Sequence, residues 1–291
     1  MSSKLTRITD MDYKLLRNGS KIPCVGLGTW QINDREQMKN IISTAIDAGY
    51  QLIDTAAAYA NEISLGKAIL EKGVAREQIY LTDKVWNTNR GFDAVQKACR
   101  QSLKKLKTDY LDLYLIHWPA SPNLHKNWKD INADTWRGME QLCKDGLVKN
   151  IGVCNFKQHH LEELKKTAEL MPLVNQYEFH VGMHDQELLD YCNKEHIVIE
   201  ASSPLGNGQI LSNKNLKELS FQKQISVAQI CLKWCLKKGL VVIPKASATQ
   251  RILENIDLFS FELTDDEMIA IDNIEYCGGL GFDSDEVTQF G

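Results

Sequence analysis

Short apolar runs alternate with amphipathic stretches along most of this 291-residue chain. The amphipathic stretches, such as "REQMKNIISTAIDAG" and "AVQKACRQSLKKLK", predict helices; in the second, Ala94, Cys99, Leu103 and Leu106 recur at helical spacing and lysines fill the other face. The apolar runs predict eight β-strands: "CVGLG", "YQLIDTA", "QIYLTDKV", "YLDLYLIHW", "VKNIGVCNF", "LVNQYEF", "IVIEAS" and "LVVIPKA". Because helices separate the strands, the pattern indicates an α/β fold with a parallel sheet.

A hairpin is predicted ahead of the first of these strands. In "YKLLRNGSKIP" the turn-forming pair Asn18-Gly19 stands between two short extended runs. Eight strands with helical crossovers favour a (β/α)8 TIM barrel, and the length of the chain suits one, whereas a doubly wound open sheet is the competing fold. No linker or composition shift divides the chain, so residues 1–291 are predicted to form a single domain.

Composition and charge exclude several classes of partner. The formal charge is -4 and the sequence pI is near 6.0, so the chain lacks the clustered positive charge that nucleic acids and acidic membranes attract. The opening "MSSKLTRITD" has no apolar core of a secretion signal, and no apolar run approaches the ~20 residues that cross a bilayer. Eight cysteines without a CxxC pair favour reduced, buried thiols. We therefore expect a cytoplasmic protein that binds neither nucleic acid nor membrane.

Polar or aromatic residues close every predicted strand. In (β/α)8 barrels the carboxyl ends of the strands carry the chemistry, so these residues would converge on one mouth. A single such residue is more often a satisfied polar group of the core, but Asp, Tyr, Lys and His together indicate an active site. In chain order the strand-end residues are Thr29 and Trp30, Asp54 and Tyr59, Lys84 and Trp86, His117 and Trp118, Asn155, Gln176, Ser202 and Ser203, and Lys245.

Four of these residues form a set that could protonate a carbonyl oxygen while another group attacks the carbonyl carbon. Free tyrosine has a pKa of about 10, which is too high for an efficient proton donor at neutral pH. Lys84 would lower the pKa of Tyr59, and Asp54 would keep Lys84 charged. His117 would donate a hydrogen bond to a carbonyl oxygen. Because no serine or cysteine nucleophile is paired with a base, the missing component is a hydride donor.

Two alternatives remain open for the lysine. Asp54 and Lys84 could form only a structural ion pair between neighbouring strands. Lys84 could instead form a Schiff base, as in aldolase barrels, and would then be desolvated without a carboxylate partner.

A site for the donor is predicted at the last strand. "VGLGTW" is not a dinucleotide fingerprint, because Gln31 occupies the position of the third glycine. In "IPKASATQRILENI" a strand leads into a helix, whose first N–H groups attract anions, with Ser247 and Gln250 at capping-box spacing. Lys245 and Arg251 bracket this helix start, which predicts a phosphate site and in particular one for the 2′-phosphate of NADPH.

The assembled blocks resemble the aldo-keto reductase family over nearly the whole chain. The blocks, in the family's order and at compatible spacing, are "GYQLIDTAAAYANE", "YLTDKVW", "LYLIHWP", "DGLVKNIGVCNF", "VNQYEFH", "SPLG" and "IPKASATQRILENI". The resemblance implies a barrel whose bottom is closed by the N-terminal hairpin, and NAD(P)H-dependent reduction of aldehydes or ketones to alcohols. The short segment after His117 and the compact tail resemble the bacterial-type reductases. The alternative is a regulatory or partner subunit of the same fold that binds the nucleotide with little turnover.

The resemblance also assigns roles to residues. The catalytic set would be Asp54, Tyr59, Lys84 and His117, with Tyr59 as the proton donor. The substrate pocket would be walled by Trp30, Tyr59, Trp86, His117 and Trp118. The cofactor would contact Thr29, Asp54, Cys154, Asn155, Gln176, Ser202, Ser203, Pro204, Leu205, Gly206, Lys245, Ala246, Ser247, Arg251, Glu254 and Asn255. Within that set, Asn155 and Gln176 would hold the nicotinamide carboxamide.

Four positions depart from the family pattern. Cys154 stands in place of the usual serine, and Ala246 and Ala248 lack hydroxyl groups that often assist the phosphate site. Ser202 replaces the aromatic residue that stacks on the nicotinamide, and such stacking is worth about 0.5–1.5 kcal/mol beyond area burial. We therefore predict NADPH as the cofactor, with NADH as the alternative and with looser binding than is usual.

The remaining expectations concern the substrate, the assembly and metals. Three tryptophans favour a small-molecule carbonyl substrate of apolar or aromatic character, bound by a monomer or weak homodimer. His180 and His184 have HxxxH spacing, but no carboxylate or cysteine completes a set at evident spacing, so no metal site is predicted.

Overall fold

The computed structural model describes residues 13–286, which form a short antiparallel hairpin and an eight-stranded parallel sheet surrounded by helices. The predictions for the opening "MSSKLTRITD" and for the last five residues of the tail lie outside these described residues. The hairpin consists of β1 (Tyr13–Leu15) and β2 (Lys21–Pro23). The parallel strands are β3 (Gly26–Gly28), β4 (Leu52–Asp54), β5 (Tyr80–Val85), β6 (Leu111–Ile116), β7 (Val148–Cys154), β8 (Val174–Glu178), β9 (Val198–Ser202) and β10 (Val241–Val242).

The sheet closes on itself. Each strand from β3 to β10 pairs in parallel with the next one along the chain. The two ends of the sheet then meet, because Val25 pairs with Val242 in a parallel bridge. At this seam the N–H of Val242 donates to the carbonyl of Cys24 at 2.9 Å, and that of Gly28 donates to the carbonyl of Pro244 at 3.1 Å. The predicted (β/α)8 barrel is confirmed, and the open doubly wound sheet is excluded.

Helices pack around the outside of the barrel. In α3 the buried face includes Val95, Ala98 and Cys99, whereas Ala94, which the sequence placed on this face, is only partly buried. Between residues 13 and 286, no helix has both the length and the apolar character needed to cross a bilayer. The helices are α1 (Arg35–Asp47), α2 (Glu62–Lys72), α3 (Phe92–Leu106), α4 (Trp128–Lys144), α5 (Gln158–Lys165), α6 (Gln186–Lys194), α7 (Lys214–Lys223), α8 (Val227–Lys237), α9 (Thr249–Ile256) and α10 (Asp265–Asp272).

The hairpin closes the amino-terminal end of the barrel. Leu16 and Ile22 are fully buried against apolar side chains from the barrel strands, as part of the smaller of two core clusters. The side chains of Asn18 and Ser20 each donate to Oδ1 of Asn150, near the start of β7, at 2.9 Å. The predicted hairpin and its place at the bottom are both confirmed.

The last barrel strand is shorter than the sequence suggests. Seven residues, "LVVIPKA", were predicted as strand, but only Val241 and Val242 join the ladder. Pro244 has no N–H to donate and restricts the residue before it, so the ladder ends there. The chain beyond the ladder leads along the mouth toward α9 and borders a cavity there.

Candidate active site

Two cavities adjoin at the carboxyl ends of the strands. Their volumes are about 580 and 550 Å³, which suits small organic ligands. They meet at Trp30, Tyr59, Gln176, Ser202 and Ser203, which line both. The polar residues that close the predicted strands therefore do gather at one mouth.

Lys84 is the centre of a saturated hydrogen-bond network. Its side chain is fully buried on β5, next to Asp54 on the neighbouring strand β4. Nζ donates to Oδ1 of Asp54 at 2.7 Å, to the carbonyl of Thr55 at 2.9 Å and to Oη of Tyr59 at 3.2 Å. An ammonium group has three protons, so all of them are used.

A tight turn carries Tyr59 back over the lysine. After β4 the chain forms one 3₁₀ turn, Ala57–Tyr59. Asn61, which the sequence did not single out, braces this turn: its Nδ2 donates to the carbonyl of Thr29 at 2.8 Å, and its Oδ1 accepts from Oγ1 of Thr55 at 2.9 Å. The small residues between Asp54 and Tyr59 permit this close return.

Burial and neighbouring charges shift the pKa values of Lys84 and Tyr59 in opposite directions. Burial, the largest influence, lowers the pKa of Lys84, but the charges of Asp54, Tyr59 and Cys154 together raise that pKa above its ordinary value. Lys84 therefore stays an ammonium with a carboxylate partner, which argues against the Schiff-base alternative.

Burial also raises the pKa of Tyr59 above that of free tyrosine. The charge and hydrogen bond of Lys84 lower this pKa, as predicted, but they do not outweigh burial. Tyr59 is a neutral phenol at physiological pH. Because its oxygen accepts from Lys84, its own proton is free to be donated.

His117 faces Tyr59 as a neutral ring. The ring centroids of His117 and Tyr59 are 5.8 Å apart, and Trp86 packs edge-on at 5.2 Å from the His117 ring. Burial lowers the pKa of His117 well below its ordinary value, and the charge of Lys84 lowers it further. Nδ2 of Asn155 donates to the backbone carbonyl of His117 at 3.0 Å and fixes this strand end. A neutral imidazole beside the phenol has one N–H with which to hold a carbonyl oxygen.

An acid that the sequence analysis missed lies on the far side of Asp54. Nε2 of Gln176 donates to Oδ2 of Asp54 at 3.0 Å and to Oε2 of Glu200 at 2.6 Å. Glu200 is fully buried on β9. The signal for it was a carboxylate inside the apolar run "IVIEAS".

The larger cavity collects most of the predicted cofactor residues. Of the others, Cys154 and Asn155 border the smaller cavity. Thr29 is buried, and its Oγ1 donates to the carbonyl of Asp54 at 2.9 Å. The N–H of Gly206 donates to the carbonyl of Ser203 at 2.8 Å. The larger cavity is lined by Asp54, Gln176, Ser202, Ser203, Pro204, Leu205, Lys245, Ala246, Ser247, Arg251, Glu254 and Asn255, together with the start of α8 at residues 226–228.

The smaller cavity collects all the predicted substrate residues, Trp30, Tyr59, Trp86, His117 and Trp118. The tail adds two walls that the sequence did not indicate, Leu280 and Phe282. The carboxylate of Glu178 holds the tail in place, since it accepts from the N–H groups of Leu280 and Gly281 at 2.7 and 2.9 Å.

Comparison with known proteins agrees with this geometry. The sequence profile of the Aldo/keto reductase family matches residues 24–275. The chain belongs to this family. A glyoxal reductase of Bacillus subtilis is 45% identical over 276 residues, which cover 95% of this chain and 97% of that protein. A methylglyoxal reductase of Escherichia coli is 40% identical over 278 residues, which cover 95% and 97%. Among solved structures, an aldo-keto reductase of Bombyx mori in complex with NADP gives a TM-score of 0.82 at 35% identity, covering 89% of this chain and 91% of that one. The chain is thus an oxidoreductase of the aldo/keto reductase family.

The start of α9 in this aldo/keto reductase differs in one detail from the prediction. Ala248 is the N-cap of α9, and no side chain caps the helix, so the capping box of Ser247 and Gln250 was wrong. The helix begins one residue later than that capping box requires. Lys245 and Arg251 are exposed on the cavity wall, and neither forms an ion pair with any residue from 13 to 286. Uncapped N–H groups and two unpaired cations together suit an anion.

One group of side chains has the composition of a metal site. Among the described residues, His159, His160 and Asp285 lie close together, and each histidine Nε2 is 3.2 Å from Oδ1 of Asp285. Nδ1 of His160, however, accepts from the N–H of Lys157 at 3.2 Å, so the neutral ring carries its proton on Nε2. Nε2 of His160 has no hydrogen-bond partner among the described residues, whereas Nε2 of His159 bonds to Oδ1 of Asp285 and ties the tail of this aldo/keto reductase to α5.

Proposed function

We propose that the chain is an NADPH-dependent reductase of small aldehydes and ketones, with α-oxoaldehydes as the first substrate class to examine. One observation carries the proposal: Tyr59 stands where the two cavities meet, with its oxygen bound by Lys84 and its proton free. The names of the two relatives, glyoxal reductase and methylglyoxal reductase, support the substrate class.

The residues of the larger cavity fit a nicotinamide dinucleotide. Lys245 and Arg251 would hold the 2′-phosphate beside the uncapped start of α9. The segment of residues 203–206 would cover the pyrophosphate, and Asn155 and Gln176 would hold the carboxamide. Bound in this way, NADPH supplies the hydride that the protein's own side chains cannot.

The protein's part in the reaction is to hold the carbonyl and deliver a proton. The neutral imidazole of His117 donates a hydrogen bond to the carbonyl oxygen and fixes its position. As the carbon gains the hydride, the electron pair of the C=O bond moves to the oxygen, which takes the proton of Tyr59 Oη. Lys84 stabilises the resulting phenolate through its hydrogen bond and charge, and Asp54 keeps Lys84 protonated. A proton from solvent then restores the phenol.

The test is NADPH oxidation on addition of glyoxal, methylglyoxal and an aromatic aldehyde. Tyr59→Phe removes the donated proton and should lower kcat by about 10²–10⁴ with the Kd of NADPH unchanged, because general acid catalysis contributes that much. Tyr191→Phe on α6, outside both cavities, is the matched control. Full activity in Tyr59→Phe would refute the mechanism. Tight NADPH binding without turnover on a broad carbonyl panel would instead favour a regulatory subunit.

A further inference from the structure

A carboxyl group that the reduction mechanism does not use lies directly against its machinery. Glu200 and Gln176 are lateral partners in the β8–β9 ladder. The Gln176 amide has two N–H bonds, one donated to Glu200 at 2.6 Å and one to Asp54 at 3.0 Å. This arrangement fixes the amide, since the reversed orientation would place its carbonyl oxygen against the carboxylate of Asp54.

Glu200 forms no ion pair with any residue from 13 to 286, since the ion pair of the nearby Lys84 is with Asp54. Its side chain is fully buried, and Oε1 has no hydrogen-bond partner within residues 13–286. Lys84, the nearby ammonium, donates all three protons to other groups. An ionised carboxylate in this position would be desolvated and unpaired, which is costly.

We propose that Glu200 is a positioning residue for the reduction: as an uncharged acid, it fixes the Gln176 carboxamide against Asp54 and so sets the binding of the nicotinamide end of the cofactor. The inference rests on the proposed function, because it acts through the role of Gln176 at the nicotinamide.

The charge of Glu200 is then a function of pH. The pKa of Glu200 is raised to about 8, chiefly by burial and also by the charge of Asp54, while the Gln176 hydrogen bond and the charge of Lys84 act in the opposite direction. The other titratable groups that face it are Tyr80 of β5 and Cys154 of β7, both themselves raised in pKa by burial. Glu200 therefore keeps its proton at neutral pH and loses it as the pH rises through about 8. Once ionised, Glu200 is a second negative charge beside Asp54, and the repulsion between the two carboxylates displaces the amide that lies between them.

The experiment measures the Kd of NADPH by fluorescence titration, without turnover, across neutral and alkaline pH. The wild-type Kd should rise about tenfold above the pKa of Glu200, as for the loss of one hydrogen bond. Glu200→Gln, which accepts the same bond and cannot ionise, should restore binding and remove the alkaline rise. Glu200→Leu should weaken binding about tenfold at every pH. Asp83→Asn replaces another buried acid, which lies on the face of β5 opposite to Lys84, and should keep the wild-type dependence of Kd on pH. Any change of Kd with pH that comes from ionisation of NADPH itself will be the same in all variants.

Two results would overturn the assignment: an alkaline rise in Glu200→Gln equal to that of wild type, or wild-type NADPH affinity in a folded Glu200→Leu. If Glu200→Leu does not fold, as judged by circular dichroism, Glu200→Gln decides alone. Infrared spectroscopy of the cofactor-free protein should show a carboxylic acid C=O band that disappears above the pKa of Glu200 and is lacking in Glu200→Gln; a pH-independent band pattern refutes the uncharged acid. Failure of Tyr59→Phe to lower kcat would overturn the proposed reduction mechanism while leaving these binding results to decide Glu200.

Discussion

Asp54→Asn should show how much of the site depends on the buried ion pair. Oδ1 of Asp54 and Nζ of Lys84 are 2.7 Å apart, and the two side chains are 3% and 0% exposed. At that distance the Coulomb attraction is about 6 kcal/mol with an effective dielectric constant of about 20. Desolvation of both charges offsets much of this attraction, but removing one partner leaves the other buried and unpaired. We therefore expect Asp54→Asn to lower the free energy of unfolding by about 3–5 kcal/mol.

A double-mutant cycle separates the interaction energy of Asp54 with Lys84 from the effect of replacing each side chain alone. Urea unfolding would be measured for Asp54→Asn, Lys84→Met and the double variant. Because the double variant buries no unpaired charge, its loss should be smaller than the sum of the single losses by about 0.5–3 kcal/mol. Losses that add within about 0.5 kcal/mol would refute the reasoning.

The pH dependence of Asp54→Asn provides an independent check of the same reasoning. Without the carboxylate, burial lowers the pKa of Lys84 below that of the unfolded chain. The unfolded state then binds more protons than the folded one, so the stability of this variant should rise relative to wild type from neutral to alkaline pH. A parallel pH dependence in both proteins would mean that Lys84 stays charged without Asp54.

Three further changes test the surroundings of the site. Asp83 is fully buried, and burial together with the charge of Glu62 raises its pKa to about 7. The folded state keeps a proton on Asp83 that the unfolded state loses, so wild-type stability should fall as pH rises toward 7. In urea unfolding, Asp83→Asn should therefore be more stable than wild type at pH 8 but not near pH 4. Equal pH dependence of stability in the two proteins would contradict this. Arg251→Met should raise the KM of NADPH about tenfold and leave that of NADH unchanged, which steady-state rates would show; equal effects on both would remove the 2′-phosphate role. Ser202→Trp should lower the Kd of NADPH about two- to tenfold by stacking, and an unchanged Kd in a fluorescence titration would place the ring elsewhere.

Local patterns were sufficient for the architecture. The alternation of apolar runs and amphipathic stretches predicted all eight barrel strands, because each strand is buried and each helix exposes one face. The turn at Asn18-Gly19 predicted the hairpin for the same local reason. The start of α9 was placed one residue early, since Ser247 has the right chemistry for a cap but Ala248 has the extended backbone that precedes the helix.

Two features of the site depended on long-range contacts that no local pattern contains. Leu280 and Phe282 reach the smaller cavity because Glu178, more than a hundred positions earlier, binds the tail backbone. The pKa of Tyr59 likewise depends mainly on burial, which raises it. The sequence analysis considered only Lys84, which lowers this pKa.

The case of Glu200 shows which information was missing. The sequence analysis recognised Gln176 because it took this residue as the end of a strand, where chemistry is expected, and it passed over Glu200 because Glu200 lies inside one. In the ladder the two residues are direct partners, as Gly28, Asp54 and Thr82 are across β3, β4 and β5. Both residues are the third of five in their strands, β8 (Val174–Glu178) and β9 (Val198–Ser202), so the register places them level with each other. A carboxylate within an apolar barrel strand is therefore a candidate neighbour of the active site whenever its ladder partner on the adjacent strand is polar, and the Glu200 variants test that rule directly.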